Sequence, residues 1–256
     1  MLCFRLPRMA VALSALFVAS QPASAAEITV LAVGALRGSL AAVIPQFEKV
    51  TGHSIKLQTG AAGALVTRIE KGDPVDVAIV TAAQVHKLVS EEKAKSGTQV
   101  NVGKVGIGLA ASKGAAHADI SSMDGFKRAL LSAKSIGHTD PASGASSAIY
   151  AAKLLAEIDI APEIRSKIRV FASNGKLFEA LSTNDVELGF GQITEIAAVS
   201  GVIAVGPLPG SVQKYSVFEA VVVANSKELV ASTAFVQFLA SPSAVAAMKE
   251  KGVEIP

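Results

Sequence analysis

The sequence predicts an α/β protein made of two lobes, each on a mostly parallel sheet, with the chain crossing between them twice. Three observations carry this expectation. Half of the 256 residues are hydrophobic, yet only 5% are aromatic and 18% charged. Ala, Val, Leu and Ile therefore supply a sizeable core, and the charge typical of a disordered chain is lacking. From Glu27 onward, short β-branched runs alternate with segments whose apolar residues recur every three or four positions, the pattern of a parallel sheet flanked by helices. After two sets of such units, the run Lys214 to Ala224 reads as a long strand leading back to the first lobe.

At the N-terminus, Arg5 and Arg8 precede the apolar run Met9 to Ser20, and Ala23, Ser24 and Ala25 supply small residues for cleavage. Residues 1–26 read as a secretory signal peptide, and the exported chain is expected in a periplasm. The apolar run is too short to span a bilayer as a permanent helix. Loss of the two arginines leaves 22 basic against 21 acidic residues, so global charge steers no ligand. Cys3 is the only cysteine and departs with the signal, which excludes disulfides and thiolate chemistry from the mature chain. With no Trp and two Tyr, the chain lacks the basic stripe and stacking aromatics of a nucleic-acid binder.

Next come a strand at Ile28 to Val33 and a helix from Ser39 to Val50, where Leu40, Val43, Ile44 and Phe47 share one face. A strand at His53 to Leu57, a helix from Ala64 to Lys71 and a strand at Val75 to Val80 complete a βαβαβ unit. The second unit begins with an extended run, Val105 to Ala111. It continues as helix Met123 to Ala133, strand Ser135 to His138, helix Ser146 to Ile158, strand Arg169 to Ala172, helix Lys176 to Ser182, strand Val186 to Phe190 and a short helix near Glu195. Ala231 to Lys251 is a terminal helical region interrupted near Pro242. The expected division is 27–106 for the first part of lobe 1, 107–213 for lobe 2, and 214–256 for the return strand and C-terminal helical part of lobe 1.

Ligands of such sheets bind beyond the carboxyl ends of the strands. The turns there are built from small residues: Gly34 to Gly38, Gly60 to Gly63, Thr81 to Ala83, Ser143 to Ser147 and Ser173 to Gly175. Each places unpaired backbone N–H groups at a helix start, where the helix dipole favours an anion. Any α/β protein needs small residues at such turns, but five of them together point to an anion site. The expected ligand-binding residues are Gly34, Ala35, Arg37, Gly60, Ala61, Ala62, Thr81, Ser143, Gly144, Ser146, Asn174, Gly175 and Gln192. Arg37 either forks onto a carboxylate or points outward from the first helical turn. His138 is either a base or a histidine tied to a neighbouring backbone group, and Asp76 reads as the fixer of a turn. His53, His86 and His117 have no ligand spacing, so neither a metal nor another cofactor is expected.

These residues carry a resemblance. Ile28 to Leu40, Phe47 to Gly52, Gly60 to Ile69, Gly72 to Val77, Leu188 to Gly191 and Gly206 to Pro209 resemble, in order and spacing, the molybdate-binding type of periplasmic solute-binding protein. The resemblance implies the two-lobed periplasmic-binding-protein fold, a small anionic ligand in the cleft, a monomer, and a membrane permease and ATPase as partners. It also implies serine hydroxyls at positions that here are Ala35 and Ala61 or Ala62, and a tyrosine where Gln192 stands. A tetrahedral oxyanion would then depend on backbone donors. Gly34 to Leu40, Ala118 to Lys127, Asp140 to Gly144 and Leu188 to Ile196 also resemble the aconitate isomerases, which share this fold. That likeness implies a proton shift along an allylic tricarboxylate, with His138 and Glu195 as candidate catalytic groups. The leading expectation is a substrate-binding protein of an ABC importer, and the alternative is an aconitate isomerase-like enzyme.

Overall fold

The β-branched runs become strands and the amphipathic runs helices in a computed structural model that describes residues 25–115 and 119–255. The signal-peptide expectation lies outside the described residues except for its last two positions, as do Cys3 and His117. In chain order the elements are β1 (Glu27–Val33), α1 (Arg37–Thr51), β2 (Ser54–Gly60), α2 (Ala62–Glu70), β3 (Val77–Thr81), α3 (Ala82–Ser90) and β4 (Val100–Ser112). There follow α4 (Met123–Ser132), β5 (Ile136–Thr139), α5 (Ser146–Glu157), α6 (Ala161–Ile164), β6 (Ile168–Phe171), α7 (Asn174–Ser182), β7 (Leu188–Gln192) and α8 (Ile193–Ala197). The chain closes with β8 (Val202–Pro207), β9 (Tyr215–Val222), α9 (Leu229–Phe238) and α10 (Pro242–Glu250).

α1 shows how sequence sets an element. Leu40, Val43 and Phe47 are buried along one stripe, and Gly52 ends the helix in the left-handed region at φ 75°, donating its N–H to Glu48 O at 2.9 Å. Phe47 then packs edge-on against Phe235 of α9, ring centres 5.1 Å apart. Asp76, expected to fix a turn, instead ties distant segments: its carboxylate accepts from the Thr29 N–H of β1 at 2.9 Å and from the Ser226 hydroxyl at 2.8 Å.

The expected parallel strands form on both sides of the sheet, and its central strands make it mixed. One mixed sheet runs in the order β2-β1-β3-β9-β4-β7-β5-β6, with β8 also on β4. β1 is parallel to β2 and β3, and β5 is parallel to β6 and β7, whereas β9, β4 and β8 enter antiparallel. The join is β4, which pairs with β9 through Val100 to Gly106 and with β7 and β8 through Ile107 to Ser112. The sequence shows only the Val105 to Ala111 part of this strand. Asn101, Gly103 and Lys104 break its alternation, and the register shifts at Gly103, which sits at φ 123°. β8 carries no sequence expectation at all.

The apolar core follows the same division. One cluster draws on residues 28–105 and 218–253, including Leu31, Phe47, Val80 and Phe235. The others draw on residues between 107 and 208, around Phe126 and Phe190 and around Leu177 and Leu181. The break expected near Pro242 is a 61° bend between α9 and α10, and both helices bury residues in the first cluster. Among the described residues no single helix is long and apolar enough to cross a membrane.

Candidate functional site

A cavity of about 1150 Å³ opens where the starts of α1, α2, α5 and α7 converge. Its size slightly exceeds the roughly 300–1,000 Å³ usual for sites that hold drug-sized molecules. A five-atom oxyanion fills little of it. The strands end here and the helices begin here, so residues of four helix starts line one space.

Of the expected binding residues, Gly34, Ala35, Arg37, Gly60, Ala61, Ala62, Ser143, Ser146, Asn174, Gly175 and Gln192 line this cavity, and so does Glu195. Three expected residues do not. Thr81 ends β3 away from the cavity, its hydroxyl donating to Gln84 Oε1 at 2.8 Å at the start of α3. His138 is buried in β5 with Nδ1 donating to the carbonyl of Thr139 at 2.8 Å, the backbone tie rather than the catalytic placement. Gly144 meets a backbone instead of the cavity. Gly63 N donates to Gly144 O at 3.3 Å, and a Cβ built on Gly63 would lie 2.9 Å from Gly144 Cα. Only glycine fits either side of this contact, and Gly144 additionally holds φ 71°.

Three charged side chains line the cavity: Arg37, Glu179 and Glu195. Arg37 is exposed, and Nε donates to Thr59 Oγ1 at 2.9 Å with Nη2 also on that hydroxyl. Among the described residues it has no carboxylate within ion-pair distance, so its charge is available to an anion. Glu179 is paired with Lys176 at 2.7 Å.

Glu195 is the unusual group. It projects from α8 so close to the Gly34 backbone that a Cβ there would collide with its Oε1. Asn174 Nδ2 donates to Oε2 at 2.8 Å, and Thr139 Oγ1 donates to the same amide's Oδ1 at 2.6 Å. Burial away from water pushes the Glu195 carboxyl up from 4.5 to about 7, against the smaller opposing pulls of Asn174, the Gln192 backbone and Arg37.

Gln192 is 3% exposed and joins the strands that connect the two halves. With both ends of its amide satisfied, Nε2 donates to Val105 O at 3.1 Å and Gly106 O at 3.3 Å, while Oε1 accepts from Ser146 and Ser216 at 3.2 and 2.8 Å. Its amide is occupied in tying β4, β7, β9 and α5 together.

Sequence reasoning missed three threonines of the wall: Thr59, Thr139 and Thr194, the last donating to Ala35 O at 2.7 Å. Thr59 lies next to the end of β2 and Thr139 ends β5, so the position just before each small-residue turn was the available signal. Among the described residues no group of three or more acidic or histidine side chains could hold a metal ion.

Comparison with known proteins matches residues 28–254 to the family of bacterial extracellular solute-binding proteins. An aconitate isomerase from a Pseudomonas species is 32% identical over 98% of this chain and 97% of its own length. The molybdate-binding protein of Azotobacter vinelandii is 25% identical over 97% of this chain and 98% of its own. The solved structure of the periplasmic molybdate-binding protein from that organism superposes with a TM-score of 0.75 at 20% identity, covering 90% of this chain and 99% of the other.

Proposed function

Because the chain belongs to the bacterial extracellular solute-binding protein family, we propose that its cavity takes a small polycarboxylate and moves a proton along it in the manner of an aconitate isomerase. The observation that carries this reading is the placement of the Glu195 carboxyl, desolvated and held by Asn174, inside a cavity otherwise arranged for anions. A carboxylate beside a bound metal oxyanion would repel it. Beside a carbon acid, the same group is a base whose affinity for a proton suits neutral pH. The likeness to the Pseudomonas aconitate isomerase supports the same reading.

The chemistry is a balanced 1,3 shift. Ionised Glu195 takes a proton from the methylene carbon of an aconitate, the C=C electron pair moves along the allyl unit, and the proton returns to the far carbon. Charge that develops on the adjoining carboxylate meets the helix-start N–H groups and Arg37. Ala35, Ala61 and Ala62, in place of hydroxyls, offer apolar surface to the carbon skeleton. The walls are proposed to hinge as two lobes near residues 106 and 214, excluding water from the proton shift.

The test is to incubate catalytic amounts of protein with cis- or trans-aconitate and follow the other isomer by chromatography. Conversion above the buffer control is expected, with kcat/KM rising with pH and levelling above about 7 as Glu195 ionises. A profile flat from pH 5 to 9 would remove Glu195 from the role of base. Arg37→Ala should weaken tricarboxylate binding about tenfold by calorimetry, the loss of one charge-assisted contact at an exposed site.

Family membership and the 25% identity to the molybdate-binding relative favour a second reading, in which the cleft captures an anion for a membrane permease. Thermal-shift titration with molybdate, tungstate, sulfate, citrate and the aconitates separates the two. Saturation by a ligand at 100 times its Kd stabilises the fold by about 2.7 kcal/mol. A response to molybdate alone, unaffected by Arg37→Ala, would return the protein to oxyanion capture.

A further inference from the structure

Glu195 ends a chain of three hydrogen-bonded side chains in the cavity wall that starts at Thr139 and runs through Asn174. Thr139 is the last residue of β5 and is 2% exposed. Its Oγ1 donates to Asn174 Oδ1 at 2.6 Å, and Asn174 Nδ2 donates to Glu195 Oε2 at 2.8 Å. A primary amide has an accepting end and a donating end. The end that Thr139 holds therefore decides which end meets the carboxyl.

We propose that Thr139 is a positioning residue: by binding the oxygen of the Asn174 amide, it keeps the NH2 turned to Glu195 and so holds that carboxyl ready to accept a proton. The inference rests on the reading of Glu195 as proton carrier. An NH2 donor stabilises the ionised carboxylate, and an amide oxygen turned to the same place stabilises the protonated acid. A hydroxyl donating to the amide oxygen also polarises the amide and strengthens its N–H as a donor.

Little else nearby competes for control of this group. Of the elements packed against α8, β7, β8 and the Gly34–Leu36 turn carry no ionisable residue. On β4, Lys104 is engaged with Glu254 at 3.5 Å and with the Tyr215 ring. On α1, Arg37 acts on Glu195 through its charge. Glu179, elsewhere on the cavity wall, is paired with Lys176. His138 precedes Thr139 but is bonded to the Thr139 carbonyl.

The experiment reads the titration of Glu195 directly, by NMR of the protein carrying 13C-labelled glutamate carboxyls, with the resonance assigned by its absence in Glu195→Gln. Thr139→Val removes the hydroxyl while keeping a β-branched shape suited to a strand. The Glu195 midpoint is expected to rise by about half to one pH unit, the equivalent of one neutral hydrogen bond. Thr139→Ser should restore the parent midpoint, and Thr139→Ala, a second hydroxyl-less variant, should reproduce the rise if the valine variant folds poorly. The kcat/KM profile with aconitate should move by the same amount. An unchanged midpoint in both hydroxyl-less variants overturns the role of Thr139. If instead the midpoint shifts and serine restores it while no aconitate is converted, the proposed reaction fails and the control of Glu195 by Thr139 stands.

Discussion

Glu195→Gln is expected to lower aconitate conversion by about 10² to 10⁴, the usual contribution of a positioned general base. Glutamine keeps the shape and an acceptor for the Asn174 amide, so ligand binding should persist while turnover disappears. A structural role for Glu195 predicts a different pattern, in which affinity and turnover fall together. The same substitution has a consequence for stability. A carboxyl whose folded value is raised from 4.5 to about 7 favours the folded state fully below its unfolded value, and this advantage is lost as pH rises through the folded one. Holding the charged form above that range opposes folding by about 3 kcal/mol. The glutamine variant should therefore match the parent near pH 4 and exceed its stability by up to that amount at pH 8. Urea denaturation at the two pH values measures the difference, and equal stability at both would mean that Glu195 is not desolvated.

With the hinge proposed above, Gly63→Val is expected to reduce ligand affinity by about five- to a hundredfold, because the new side chain opposes the closed contact seen in this structure and not the proposed open form. The new Cβ would sit 2.9 Å from Gly144 Cα and 3.3 Å from Ser143 O. These are backbone atoms, so no side-chain rotation relieves the overlap, and overpacking of this kind costs about 1–3 kcal/mol or more. The cost falls on the state in which the α2 start and the loop before α5 touch. Within α2 itself the change replaces glycine in a helix, which is not destabilising. Thermal unfolding without ligand and calorimetric titration with a tricarboxylate separate the two effects. A variant that keeps full affinity would show that the Gly63 to Gly144 contact is not part of the bound state.

Much of this molecule is written locally. Strand and helix alternation, the stripe of Leu40, Val43 and Phe47, the Gly52 stop and the small-residue turns all follow from neighbours a few positions apart, because backbone sterics and side-chain periodicity act over that range. The turns at Gly34, Gly60, Ser143 and Ser173 also marked helix starts that come to line one cavity.

What only the tertiary structure decided are properties that depend on distant segments meeting. β4 joins both halves of the sheet because β9, 109 to 120 residues later, pairs with its first half. His138, beside a promising loop in sequence, is turned into the strand and bonded to backbone. Gln192 lines the cavity with its amide bonded to β4, β9 and α5. Glu195 reads in sequence as one acid on a short helix, and its character comes from burial beside Gly34 and from the amide of Asn174, which Thr139 holds in turn. Desolvation and hydrogen bonding change a carboxyl's proton affinity by what surrounds it in space. Those surroundings come from three separate stretches of chain, so no local pattern around residue 195 encodes them.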